Sequence, residues 1–144
     1  MTRPRLTLAA VLACACTPTV HHLAPYRSDP TAAEALERRA ETRCTHLRGV
    51  IPPHHFTTDG CSMWPDDGWV WCCVEHDMAY WCGGTSAERK RADATFRDCV
   101  SAVHGAPIAW LMYAGVRMGG APWEPFPWRW GYGWDYCLGD NGRR

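Results

Sequence analysis

From Trp69 to Cys82 the apolar and chemically reactive residues fall at i, i+3, i+4, i+7 and i+11: Trp69, Cys72, Cys73, His76 and Tyr80. That spacing gathers them on one face of an α-helix. Gly83 and Gly84 close it, and "TSAE" at 85–88 is a capping box that opens a second helix at once. Its apolar stripe is Ala92, Phe96, Cys99, Val100 and Val103, and it stops at Gly105 before Pro107. So short a link predicts an antiparallel pair.

Upstream, Thr31 with Glu34 three residues on reads as another capping box, with Leu36, Ala40 and Cys44 at helical spacing; the pattern predicts a first helix over about 32–46. Residues 49–68, "GVIPPHHFTTDGCSMWPDDG", have no period and repeated proline, so a long loop is expected there. After Pro107 a single apolar run, Ile108 to Val116, reads as a short helix, followed by a segment rich in Trp, Gly and Pro. The five tryptophans from Trp110 to Trp134 are expected to fill core in preference to forming an interfacial surface. The fold class is therefore all-α, a small domain built on two antiparallel helices.

Composition adds the compartment. Lys plus Arg and Asp plus Glu both total 15, so no net charge argues for nucleic acid or an anionic membrane. Nine cysteines in 144 residues point to disulfides and an oxidising environment. At the N-terminus Arg3 and Arg5 precede a short apolar stretch, Leu6 to Ala13, and "VLAC" at 11–14 resembles a bacterial lipobox. The expected organisation is a signal peptide over 1–13, Cys14 as the lipidated residue, a flexible linker over 14–30 and one domain over 31–144, exported either to the cell envelope or beyond it. The apolar stretch is too short to span a bilayer.

The central helix carries the chemistry. Cys73 and His76, with His54 and His55 upstream, have zinc-ligand character, but adjacent cysteines on a helix point about 100 degrees apart and serve one ion poorly. They suit two different disulfides. With the helices antiparallel, Asp93 comes opposite His76, and a carboxylate on one imidazole nitrogen fixes the tautomer and leaves the other nitrogen as a base. Tyr80, one turn beyond His76, is placed to hold that carboxylate. Asp77 faces the loop bearing Asp59 and Gly60, and carboxylate and carbonyl oxygens are calcium's ligands.

"CCVEHDMAY" at 72–80 resembles the active-site helix of the secreted phospholipase A2 superfamily, CCxxHDxxY; "DGCS" at 59–62 resembles the calcium loop of its bacterial and fungal branch, and "RADATFRDC" at 91–99 its second helix. The three motifs occur in the family's order over about residues 59–103, and nothing after Gly105 matches. The resemblance implies a calcium-dependent hydrolase of the sn-2 ester of glycerophospholipids, acting at a membrane or vesicle surface. It implies His76 as general base, Asp93 as its orienting carboxylate, Tyr80 as support, and Asp77, Asp59 and the Gly60 carbonyl as calcium ligands. It also implies the disulfides Cys61–Cys73 and Cys72–Cys99. The chain departs from the pattern at Ser62, Met63 and Trp64. Asp66 and Asp67 are expected as helix N-caps in preference to further calcium ligands. Of the remaining cysteines, Cys16, Cys44, Cys82 and Cys137, a Cys82–Cys137 bond is the favoured pairing. The alternative is a non-catalytic disulfide-rich envelope lipoprotein or binding module on the same scaffold.

Overall fold

The computed structural model describes residues 29–136. The expected signal segment, Cys14 as the expected lipidation residue, and Cys137 lie outside them. Within them the chain forms four helices and no strand: α1 (Pro30–Arg48), α2 (Val70–Cys82), α3 (Ser86–His104) and α4 (Ala106–Gly119). No helix among the described residues is long and apolar enough to cross a membrane.

Helix starts follow local hydrogen-bonding chemistry. α1 begins earlier than the Thr31 capping box predicts: Asp29 is the N-cap, its carboxylate accepting from the Ala32 N–H at 3.0 Å, and Pro30 takes the first helical position. Proline is at home there, because that N–H has no intrahelical acceptor. Pro30, read as linker, is thus helical, and Glu34 lies beside Arg38 on the exposed face instead of closing a box. α3 does have its box, the Thr85 hydroxyl accepting from Glu88 N and the Glu88 carboxylate from Thr85 N at 2.7 Å. α2 has Trp69 at its N-cap position and no side-chain cap. The expected capping by Asp66 and Asp67 does not occur: Asp66 accepts from Cys61 N, and the Asp67 carboxylate from Gly68 N. The aspartates tighten the loop instead.

α2 is central. α1 packs on it from one side and α3 from another, while α4 packs on α3. One apolar cluster joins Leu36, Ala40 and Cys44 of α1 to Val74, Met78 and Trp81; a second joins Cys72 and Cys73 to Phe96, Val100, Ala109 and Met112. A single buried face was expected for α2, yet ten of its 13 residues are buried. A helix enclosed from several sides shows no clean polar stripe. Val103, at the end of the α3 stripe, is exposed.

Three disulfides fasten this arrangement. Cys61 is bonded to Cys73 and Cys72 to Cys99, the pairing implied by the resemblance. Cys44 is bonded to Cys82, which corrects the expected Cys82–Cys137 bond. α1 brings Cys44 to the end of α2, a packing that nothing in local sequence encodes. Disulfides fit folding in an oxidising compartment.

The tryptophan-rich segment finishes α2. The last carbonyls of a helix have no intrahelical donor and need one from elsewhere. Here Gly131 N donates to Tyr80 O, Gly133 N to Trp81 O and the Trp134 indole to Cys82 O, and in the turn beyond the helix Arg48 of α1 donates to Gly83 O and the Trp130 indole to Gly84 O. The expected core role therefore holds for Trp130, which is buried, while Trp110 and Trp123 are more than half exposed.

Candidate active site

His76 and Tyr80 sit one turn apart on α2, and Asp93 lies on the facing side of α3. The ring of His76 is held between those of Tyr80 and Phe96, with centroids 4.2 and 4.7 Å away. Its Nε2 is 2.8 Å from Asp93 Oδ1, and the Tyr80 hydroxyl donates to the same oxygen at 2.7 Å. Asp93 is completely buried. With Nε2–H directed at the carboxylate, the lone pair belongs to Nδ1. That nitrogen has no protein hydrogen-bond partner among the described residues, and the ring lines a cavity of about 640 Å³.

Burial works to raise the Asp93 carboxyl, but the hydrogen bond and charge of His76, with the bonds from Arg117 and Tyr80, outweigh it and hold it below the usual carboxylate range. Burial, reinforced by the Asp93 charge, pushes the Tyr80 phenol well above its ordinary value, so it remains a donor. Two of these partners were not legible as site residues. Arg117 donates to Asp93 Oδ2 at 2.5 Å, and Arg89 donates to the Tyr80 oxygen at 3.2 Å. The one local hint is that Arg117 is the first charged residue after the apolar run of α4.

Asp77, rotated away from His76 on α2, is buried at the wall of the same cavity, which Gly60 also lines. Thr58 joins the loop to the helix: its hydroxyl donates to Asp77 Oδ2 at 2.5 Å and accepts from Gly60 N at 3.1 Å. Asp59 Oδ1 accepts from the Ser62 hydroxyl at 2.7 Å. Burial, followed by the charges of Asp77 and then Asp59, raises the phenol of Tyr132, so both carboxylates lie within electrostatic reach of one buried ring. Gly60 is in the left-handed region, at φ +81°, where glycine is unstrained.

Donors here are oxygens, which fits a hard cation such as calcium. Among the described residues no group of three His, Cys, Asp or Glu side chains converges in the manner of a transition-metal site. A calcium site that uses backbone carbonyls does not require one. The zinc clip loses its thiolate, because Cys73 is disulfide-bonded, while His54 faces Asp135 and His55 faces Glu37.

The cavity wall is largely apolar. Trp64, Phe96, Met112 and Trp128 contribute to it, and so do Met63 and Phe126, which are also exposed to solvent. Met63 is 88 % exposed and holds a left-handed backbone, φ +65°. A bulky side chain in that conformation is uncommon and places strain beside the site. No protein-family model, curated protein or solved structure matches this chain.

Proposed function

We propose that the chain is an exported, calcium-dependent phospholipase A2-like hydrolase that cleaves the sn-2 ester of glycerophospholipids to a fatty acid and a lysophospholipid. One observation carries the reading: the imidazole of His76 is fixed through Nε2 by a buried aspartate, with Asp77 on the same cavity wall. A structural histidine satisfies both nitrogens or faces away from open space. This one pairs one nitrogen with a carboxylate and lines a cavity with the ring.

The contacts Cys72–Cys99, His76–Asp93 and Tyr80–Arg89 run in opposite sense along α2 and α3, which supports an antiparallel active-site pair. An apolar cavity with exposed Met63 and Phe126 at its wall suits an acyl chain presented from a lipid surface.

In this mechanism His76 Nδ1 takes a proton from a water as its oxygen bonds to the ester carbonyl carbon. Collapse breaks the bond to the glycerol oxygen, which recovers the proton from His76, so no acyl-enzyme forms. Asp93 holds the ring in the tautomer that makes Nδ1 basic, and Tyr80 and Phe96 hold its plane. Calcium bound by Asp77, Asp59 and the Gly60 carbonyl would supply polarisation of the ester carbonyl. Export, with lipidation at Cys14, belongs to the same proposal.

Purified, oxidised protein should release fatty acid from phosphatidylcholine vesicles with calcium and not with a calcium chelator. His76→Ala should lower the rate by at least about 100-fold while leaving the circular dichroism unchanged. Folded protein that releases nothing with calcium present would return the chain to the non-catalytic scaffold reading.

A further inference from the structure

We propose that Arg117 is a positioning residue for the His76–Asp93 pair, acting through the second oxygen of the aspartate without touching substrate. Asp93 divides its oxygens by partner. Oδ1 receives His76 and Tyr80, both from α2; Oδ2 receives Arg117 from α4, and Arg89 Nε lies 3.9 Å from it. A carboxylate held at one oxygen can still swing about its Cβ–Cγ bond. Held at both, it has one plane, and the Oδ1 lone pair is aimed at the imidazole.

Arg117 is itself located by Arg89. The Arg89 Nη2 donates to the carbonyls of Val116 and Arg117 at 2.9 and 2.8 Å, which are among the last carbonyls of α4, while its Nε donates to the Tyr80 hydroxyl. One guanidinium thus ties the end of α4 to the tyrosine of α2, and the other returns from that helix end to Asp93. The circuit runs through three helices and closes on the carboxylate. Its direction is consistent with the chemistry of the pair: a fully buried carboxylate needs a cation beside it to remain a charged acceptor, and Arg117 is the closest one by distance. Arg117 does not line the cavity, and its side chain is 30 % exposed. Its influence on the reaction therefore runs through Asp93.

The test reads the ring directly. In full-length, oxidised protein labelled with nitrogen-15 histidine, long-range proton–nitrogen correlations of His76 should show protonated Nε2 and unprotonated Nδ1. Arg117→Ala should shift population toward the other tautomer or broaden the ring signals, and Arg117→Lys should restore them in part. The kinetic arm rests on the hydrolase reading: Arg117→Ala should lower kcat about 10- to 100-fold with KM within about twofold, as for other residues that orient a catalytic group. If Arg117→Ala does not fold, Arg117→Gln, which keeps the stem and removes the charge, should displace the same signals. Unmoved ring signals in a folded alanine or glutamine variant overturn the proposal, as does a lysine variant that restores nothing. If wild-type protein hydrolyses no lipid yet the ring signals move, the positioning role stands and the hydrolase reading falls. If vesicle hydrolysis is present and unchanged by Arg117→Ala, the reverse holds.

Discussion

Gly83 and Gly131 meet backbone to backbone: a Cβ on Gly83 would lie 2.7 Å from the Cα of Gly131, and Gly83 stands at φ +68°. The contact lets the tryptophan-rich segment reach the end of α2 and supply its missing donors. Gly83→Ala combines a left-handed penalty with a collision between two main chains, neither of which can rotate away. It should cost about 2–4 kcal/mol in urea unfolding. Gly49→Ala is the control, with φ +72° and open space around the added carbon; it should cost only about 1 kcal/mol.

Tyr80→Phe removes the hydroxyl that donates to Asp93 and accepts from Arg89. Both partners stay buried with one bond fewer, so the loss should be about 1–3 kcal/mol, measured by chemical denaturation. Under the proposed mechanism, vesicle hydrolysis should fall less than in His76→Ala, because His76 and Asp93 both remain.

The disulfides should differ in what they contribute. Cys44–Cys82 spans 38 residues and Cys61–Cys73 spans 12, and the chain-entropy account makes the longer closure worth about 1 kcal/mol more. All four cysteines are buried, so the cavities left by alanine are comparable. The Cys44→Ala/Cys82→Ala double variant should therefore melt below the Cys61→Ala/Cys73→Ala variant. Thermal unfolding of the two proteins side by side checks the order.

Acid should weaken the fold through Glu88. The Thr85 N–H, then the Thr85 hydroxyl and Arg48, hold its carboxyl down at about 2, against an ordinary 4.5. Between those values the unfolded chain binds the extra proton, so the stabilisation is present above about 4.5 and is lost as pH falls through about 2. Asp93, also held low, adds a contribution of the same sign. Glu88→Gln should be less stable than wild type at neutral pH and should show a shallower decline below that window, read from urea midpoints across it.

Much of the candidate site was legible because it is local. His76 and Tyr80 share a helical face by spacing alone, and Thr85 with Glu88 announces the helix that carries Asp93. Gly83 and Gly84 keep the link between the two helices short. Local signals also misled where a stronger neighbour competed: Asp29 followed by Pro30 outcompeted Thr31 for the start of α1, and Asp66 found the Cys61 N–H before any helix end.

The sequence by itself determined the helices, and placed His76, Asp77 and Tyr80 on one of them and Asp93 on the next, since these rest on periods and caps that act over a few residues. Only the tertiary structure decided that Cys44 meets Cys82, that Trp130 and Trp134 close the end of α2, and that Arg117 holds the far oxygen of Asp93. Those contacts join residues 24 to 52 positions apart in the chain. No local pattern marks such partners, because what selects them is the burial of charge and of orphaned backbone groups once the helices have packed.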